Sequence, residues 1–213
     1  MRVTLKLATS LDGKIATASG ESRWITGSKA REEVHRLRLI HMNVMVGVET
    51  VLADDPELTV RIPGNVVGQP RRIILDSRQR TPLQSKLVAT ASVIPTTIIT
   101  VRPPIKRLLE AGVTILRVAE QGGRVDPAAA LAALEDQGAF TVMIEGGGQV
   151  AASFLSAGLV DGLEWFRAPI ILGDEGRAAV GTFVLKDLGA APRLRRIAVH
   201  ELGEDLWERY ERI

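Results

Sequence analysis

Asn43 to Arg61 reads NVMVGVETVLADDPELTVR, and how this stretch is interpreted decides the fold. Asn43 to Val48 is a short apolar run of the kind that fills a buried strand, and the polar, proline-marked residues after it cannot continue that strand. The strand empties into a loop that carries Thr50, the adjacent carboxylates Asp54 and Asp55, a rigid turn at Pro56, and Arg61. In open α/β sheets ligands bind at the carboxyl ends of strands, so this loop is a candidate site. An ordinary β-turn, in which the two carboxylates only satisfy backbone amides, is the other reading of the same residues.

Similar units lie on both sides. Val3 to Ala8 alternates apolar residues with Thr4 and Lys6 and ends in the turn-rich SLDGK. Lys6 is costly inside a strand unless it snorkels outward or meets an anion. Thr26, Gly27 and Ser28 form the N-cap neighbourhood of a helix through REEVHRLRLIHM, with Val34, Leu37 and His41 on one face and Arg38 at its edge. Downstream, Arg71 to Asp76, Thr96 to Thr100 and Val113 to Val118 read as strands. The segment IKRLLEA and the Asp126-capped, Pro127-led AAALAALEDQ read as helices. Strands alternating with helices predict a mixed, mostly parallel α/β sheet flanked by helices.

Thr141 to Leu155, TVMIEGGGQVAASFL, is the second chemical stretch: a strand, three glycines and a small-residue helix. Glycines let backbone N–H groups approach a ligand, and a helix N-terminus adds free donors and partial positive charge, which suits a phosphate. A tight strand-to-helix turn that binds nothing is the alternative. Gly146, Gly148 and Ala151 fit the relaxed dinucleotide pattern, but it comes too late in the chain for two successive βαβ halves. After it, Leu163 to Ala168 is a strand, and Arg193 to His200 with Leu206 to Arg212, joined through Gly203, predict a closing antiparallel hairpin.

At 213 residues, 46% of them hydrophobic, the chain can bury a large core, and a single domain over 1–213 is expected. A formal charge of +2 and 4% aromatics, with no basic block interleaved with them, argue against a nucleic-acid surface. The chain has no cysteine, which excludes disulfides, thiolate metal sites and a cysteine nucleophile. His35, His41 and His200 do not form a metal-binding pattern, so no catalytic metal is expected. No basic leader with an apolar core opens the sequence and no apolar run is long enough to cross a membrane, so a cytoplasmic location is expected.

Eight segments occur in the order found in one family: TLKLATSLDGKIA, SGESRWITG, VHRLR, VGVETVLADDPELTVR, ILDSR, IEGGGQVAASFL, GLVDGLEWFRAPIILG and the closing hairpin. Together they resemble the reductase domain of the RibD-type bifunctional deaminase/reductase of riboflavin biosynthesis, over nearly the whole chain. The resemblance implies a dihydrofolate-reductase-like fold and an NADPH-dependent reduction of 5-amino-6-(5-phosphoribosylamino)uracil, with hydride delivered to the sugar C1′. It implies cofactor contacts from Ala8, Trp24, Thr50, Asp54, Ser77, Gly147, Gly148, Gln149, Val150, Ala151, Ala152 and Ser153. Lys6, Ser22, Thr26, Arg38, Leu58, Arg61 and Glu145 would face the substrate, with Lys6 and Asp54 as the candidate proton donors.

Two features depart from the family. The sequence does not include the zinc deaminase domain that commonly precedes the reductase, so either the reductive half alone is expected, with a separate deaminase as a partner, or the sequence is a fragment of a bifunctional protein. Glu164 to Arg167, EWFR, is bulkier and more charged than the plain apolar strand of the family. The resemblance also suggests a homodimer. Alternatives within the same fold are a reductase of the 2,5-diamino-6-ribosylamino-pyrimidinone 5′-phosphate or of another pyrimidine or pterin. From a different class comes a non-catalytic nucleotide-binding module.

Overall fold

The computed structural model describes residues 1–64 and 68–213. In chain order the elements begin with β1 (Arg2–Thr9), β2 (Lys14–Ala16), α1 (Ser28–Ile40), β3 (Asn43–Gly47) and α2 (Val48–Asp54). Next come β4 (Arg71–Leu75), α3 (Lys86–Ala89), β5 (Thr96–Thr100), α4 (Lys106–Glu110) and β6 (Thr114–Arg117). The short strands β7 (Glu120–Gln121) and β8 (Arg124–Val125) precede α5 (Pro127–Asp136), β9 (Thr141–Glu145) and α6 (Gly148–Ser156). The chain finishes with β10 (Gly162–Arg167), β11 (Arg177–Ala178), β12 (Leu194–Leu202) and β13 (Asp205–Arg212). Two compact units result: Met1 with His35–Met143, and Arg2–Val34 with Ile144–Ile213.

In the first unit β3, β4, β5 and β6 run parallel in that order, with Asn43 beside Arg71, Arg72 beside Thr96 and Thr97 beside Thr114. All five residues of β3 are buried, as the continuous apolar run predicts for a strand covered on both faces. The expected loop after it is instead α2, which starts at once from Gly47 and buries Val48 and Val51 at helical spacing. Asp55 closes the helix in the left-handed region at φ 40°, donating its N–H to the Val51 carbonyl at 3.1 Å. The α5 cap follows the sequence: the Asp126 carboxylate accepts the N–H groups of Ala128 at 2.8 Å and Ala129 at 3.4 Å, with Pro127 at the first position.

Arg72 in β4 is only 1% exposed. Its guanidinium donates to the Thr90 hydroxyl at 2.8 Å, the Thr96 hydroxyl at 2.7 Å and the carbonyls of Ile94 at 2.8 Å and Leu87 at 3.1 Å. Burial draws its pKa down to about 10, against the small opposing effect of Glu57, so it remains a cation at neutral pH. A buried charge is tolerated here because carbonyl and hydroxyl dipoles replace its water.

The second unit orders its strands β12, β13, β10 and β1. β1 and β10 are parallel, whereas β10 with β13 and β13 with β12 are antiparallel, the last pair turning at Gly203 with φ 76°. The prevalence of parallel pairs and the closing hairpin agree with the sequence, whereas the parallel pairing of β10 with β1 falls in the part of the chain that the sequence reads as antiparallel. The charged EWFR segment is an internal joint. Phe166 stacks on Trp207 at 5.6 Å between ring centroids. Buried Glu164 accepts the Trp207 indole N–H at 2.8 Å and the Arg209 fork at 3.0 and 3.1 Å. A carboxylate is tolerated inside this strand pair because a bidentate guanidinium and an indole donor meet it.

The turn after β1 is also tied down. Asp12 accepts the Ser10 hydroxyl at 2.5 Å and the N–H groups of Gly173 at 2.8 Å and Leu172 at 3.1 Å. The Ser10 bond, then the two backbone donors, hold its carboxyl at about pKa 2.

Candidate functional site

The expected site residues fall in both units. In the first, Arg38, Thr50, Asp54, Leu58, Arg61 and Ser77 come from α1, α2 and the segments after α2 and β4. Three described residues other than glycine have left-handed backbones: Asp55 at φ 40°, Leu58 at φ 54° and Gln79 at φ 54°. All three lie in these two connections. Such conformations cost about 1–3 kcal/mol each and persist where surrounding contacts over-determine them, as at ligand clamps.

The adjacent carboxylates divide their roles. Asp55 accepts the Lys86 N–H at 2.9 Å at the start of α3, the backbone-satisfying role of the β-turn alternative. Asp54 ends α2 with an exposed side chain. Thr50 is half-buried on the same helix.

Thr59 gathers the cations. Its carbonyl accepts Arg38 Nη1 at 2.9 Å, and the Arg61 guanidinium donates to the Thr59 hydroxyl at 3.1 Å and to Glu57 at 2.7 Å. His35 Nδ1 stands 3.1 Å from the same carbonyl and 3.2 Å from the Arg61 N–H. One nitrogen cannot donate to the first and accept from the second at once. With a lone pair on Nδ1 the ring accepts the Arg61 N–H, and with a proton there it donates to the second lone pair of the Thr59 carbonyl. His35 was missed from the sequence, although its spacing of three from Arg38 on one helix was the available signal. Leu58 is buried beside this cluster.

Ser77 is engaged in its own unit: its hydroxyl oxygen accepts the Val125 N–H at 3.0 Å and its carbonyl accepts the Thr100 hydroxyl at 3.3 Å. The hydroxyl keeps a proton to donate.

In the second unit Lys6 and Ala8 are half-buried on β1, beside Glu164 and Phe166 in register. The Lys6 ammonium lies 5.7 Å from the Phe166 ring centroid. Glu145 ends β9 buried, and Gly146 and Gly147 follow at φ 84° and 89°, a backbone path that residues with a Cβ rarely take. This turn delivers the chain to the N-terminus of α6, whose first N–H groups have no intrahelical acceptor. Gly148 is glycine for a different reason. A Cβ there would come within 2.5 Å of the Ala178 carbonyl, and its own carbonyl accepts the Gly181 N–H at 2.7 Å.

Beyond the turn, Gln149 is exposed and Val150 half-buried, while Ala151 and Ala152 face the core and so offer a ligand only their backbone. Ser153 donates its hydroxyl to the Val150 carbonyl at 2.8 Å, which leaves its oxygen able to accept. Ser22 and Thr26 lie half-buried in the segment before α1, and Trp24 between them is 70% exposed. Arg31 also went unpredicted: its guanidinium carbon sits 4.3 Å from the Trp24 ring centroid while Nη1 donates to the Thr26 carbonyl at 2.7 Å.

The RibD C-terminal domain family matches residues 1–207. The chain belongs to that family. The riboflavin biosynthesis protein RibD of Actinobacillus pleuropneumoniae is 36% identical over 208 residues, which cover 96% of this chain and 55% of that protein. This RibD C-terminal domain chain thus spans about half the length of such relatives. The 2,5-diamino-6-ribosylamino-4(3H)-pyrimidinone 5′-phosphate reductase of Methanothermobacter thermautotrophicus is 37% identical over 211 residues, covering 98% of this chain and 96% of that protein. Among solved structures, the diaminohydroxyphosphoribosylaminopyrimidine deaminase/5-amino-6-(5-phosphoribosylamino)uracil reductase of Thermotoga maritima superposes with a TM-score of 0.83 at 27% identity, covering all of this chain and 58% of that one.

Proposed function

We propose that this RibD C-terminal domain chain is an NADPH-dependent reductase of riboflavin biosynthesis acting on 5-amino-6-(5-phosphoribosylamino)uracil. The observation that carries the substrate class is the Thr59 cluster, where Arg38 from α1 and Arg61 from the segment after α2 donate to the carbonyl and the hydroxyl of one residue. Two forked cations suit a ribose 5′-phosphate. Glu57 now holds Arg61, but such an exposed pair is worth only about 0–1 kcal/mol and gives way to a dianion. The left-handed turn at Gly146 and Gly147 ahead of α6 fits the pyrophosphate of NADPH.

Bound NADPH supplies the hydride. The chain's own residues orient the substrate and manage its proton. Arg38 and Arg61 grip the phosphate and Glu145 accepts hydrogen bonds from the pyrimidine or ribityl donors. Trp24 covers the nicotinamide against water. Opening the ribosylamine to an imine needs a proton at the departing ring oxygen or at nitrogen, and Lys6 or Asp54 supplies it. With the acceptor carbon held close in a dry pocket, positioning is the protein's main contribution. The same reading makes the protein a cytoplasmic homodimer supplied by a deaminase; no described helix is long and apolar enough to cross a membrane.

A second reading, the 2,5-diamino-pyrimidinone 5′-phosphate as substrate, is favoured by the near-complete overlap with the Methanothermobacter reductase. The test is the loss of NADPH absorbance with each substrate offered separately to the purified protein. Faster turnover of the uracil supports the first reading and faster turnover of the diamino compound the second. Cofactor binding without turnover of either would overturn both.

A further inference from the structure

We propose that Asp205, at the turn of the closing hairpin, is a positioning residue for the segment Ser22 to Thr26 and, through it, for the indole of Trp24. The inference rests on the reading of Trp24 as a cofactor contact. Asp205 is only 4% exposed, and its Oδ2 accepts the Gly27 N–H at 2.7 Å. A carboxylate withdrawn from water at the tip of a hairpin is expensive, and here its return is an anchor on the residue just before α1. The carboxylate also faces the positive end of that helix, which stabilises it further. The hairpin turn lies along the first turn of α1: a Cβ built on Gly203 would touch Lys29 Cδ at 3.8 Å.

The carbonyl side of the same peptide group is held by Arg31, which donates to the Thr26 carbonyl at 2.7 Å and lies 4.3 Å from the Trp24 ring centroid. The Thr26 carbonyl and the Gly27 N–H belong to one peptide group, so two side chains from different elements clamp that group from its two sides. Trp24 gains little orientation from burial, being 70% exposed, and depends on this clamp. A ring held in place beforehand loses less freedom when the cofactor meets it, so the clamp acts on cofactor affinity and leaves the hydride step alone.

The test is the NADPH dissociation constant, measured by titration for the parent, Asp205→Ala, Asp205→Asn, Trp24→Ala and the Asp205→Ala/Trp24→Ala pair. Asparagine keeps an acceptor oxygen for the Gly27 N–H, so Asp205→Asn should stay within about twofold of the parent. Loss of the bond in Asp205→Ala should weaken binding about tenfold. In the Trp24→Ala background the same change should add nothing. Should Asp205→Ala fail to fold, Arg31→Met releases the other end of the clamp and should weaken binding about tenfold in its place. A parent that binds NADPH together with variants that bind equally well overturns the inference, as does a full Asp205→Ala effect without Trp24. A parent that binds no NADPH overturns the cofactor reading itself, an outcome visible before any variant is made.

Discussion

Arg72 and Arg61 belong to one unit and differ in almost everything except their chemistry. Arg72 is enclosed, and its fork is spent on hydroxyls and carbonyls of α3 and the strands around it. Arg61 is exposed, held by a nearby carboxylate and a threonine hydroxyl that a ligand can displace. The same guanidinium is a structural tie where its partners are fixed by the fold and, under the proposed function, a phosphate-binding group where its partner is cheap to exchange.

The sharpest way to break this contrast is Arg72→Ala. It removes the largest fully buried side chain among the described residues and the donor shared by the Thr90 and Thr96 hydroxyls and the Leu87 and Ile94 carbonyls, and unfolding in urea should show a loss of about 3–5 kcal/mol. A loss below about 1 kcal/mol would mean that the enclosed fork contributes no more than a surface residue.

Arg61→Ala should do the reverse. Stability should move by less than about 1 kcal/mol, while KM for the phosphorylated pyrimidine rises about tenfold or more. An unchanged KM with a large stability loss would place Arg61 in the same class as Arg72.

The smallest expected effect extends the contrast to an exposed anion. Asp12 titrates at about 2 in the folded chain against an ordinary 3.8, because Ser10 and two backbone N–H groups favour its charged form. Its contribution is therefore fully present above about pH 4 and is lost as pH falls through about 2. Acid titrations of stability for the parent and Asp12→Asn should differ above pH 4 and converge towards pH 2. Curves that stay parallel through that window would show that the carboxylate's charge is irrelevant there.

What could be read from the sequence follows from the range of each interaction. β3, β4 and β5 were legible because each is a short apolar run bounded by turn residues, and the hairpin because two strand-like runs flank Gly203. α2 was hidden because Val48, Thr50 and Val51 are β-branched, and burial of Val48 and Val51 outweighs that local preference. Which of the paired carboxylates serves the backbone depended on Lys86, 31 residues away, and no local pattern carries that information. Asp205 finds Gly27 across 178 residues. Arg72 looked like any basic residue at the edge of a strand, since the hydroxyls that accept it come from Thr90 and Thr96 beyond α3. The eight ordered segments carried the family, while each residue's local duty required coordinates.

The parallel pairing of β1 with β10 also has a consequence for how the chain is born. The Val3 N–H finds its acceptor in Asp161, 158 residues later. A ribosome adding about 5–20 residues per second needs on the order of 10–30 s to deliver that partner. Throughout that interval Arg2–Thr9, a β-prone segment with an open edge, has left the exit tunnel without its companion strand. Lys6 interrupts the run VTLKLAT, and a charge inside a β-prone run disfavours pairing with a neighbouring nascent chain.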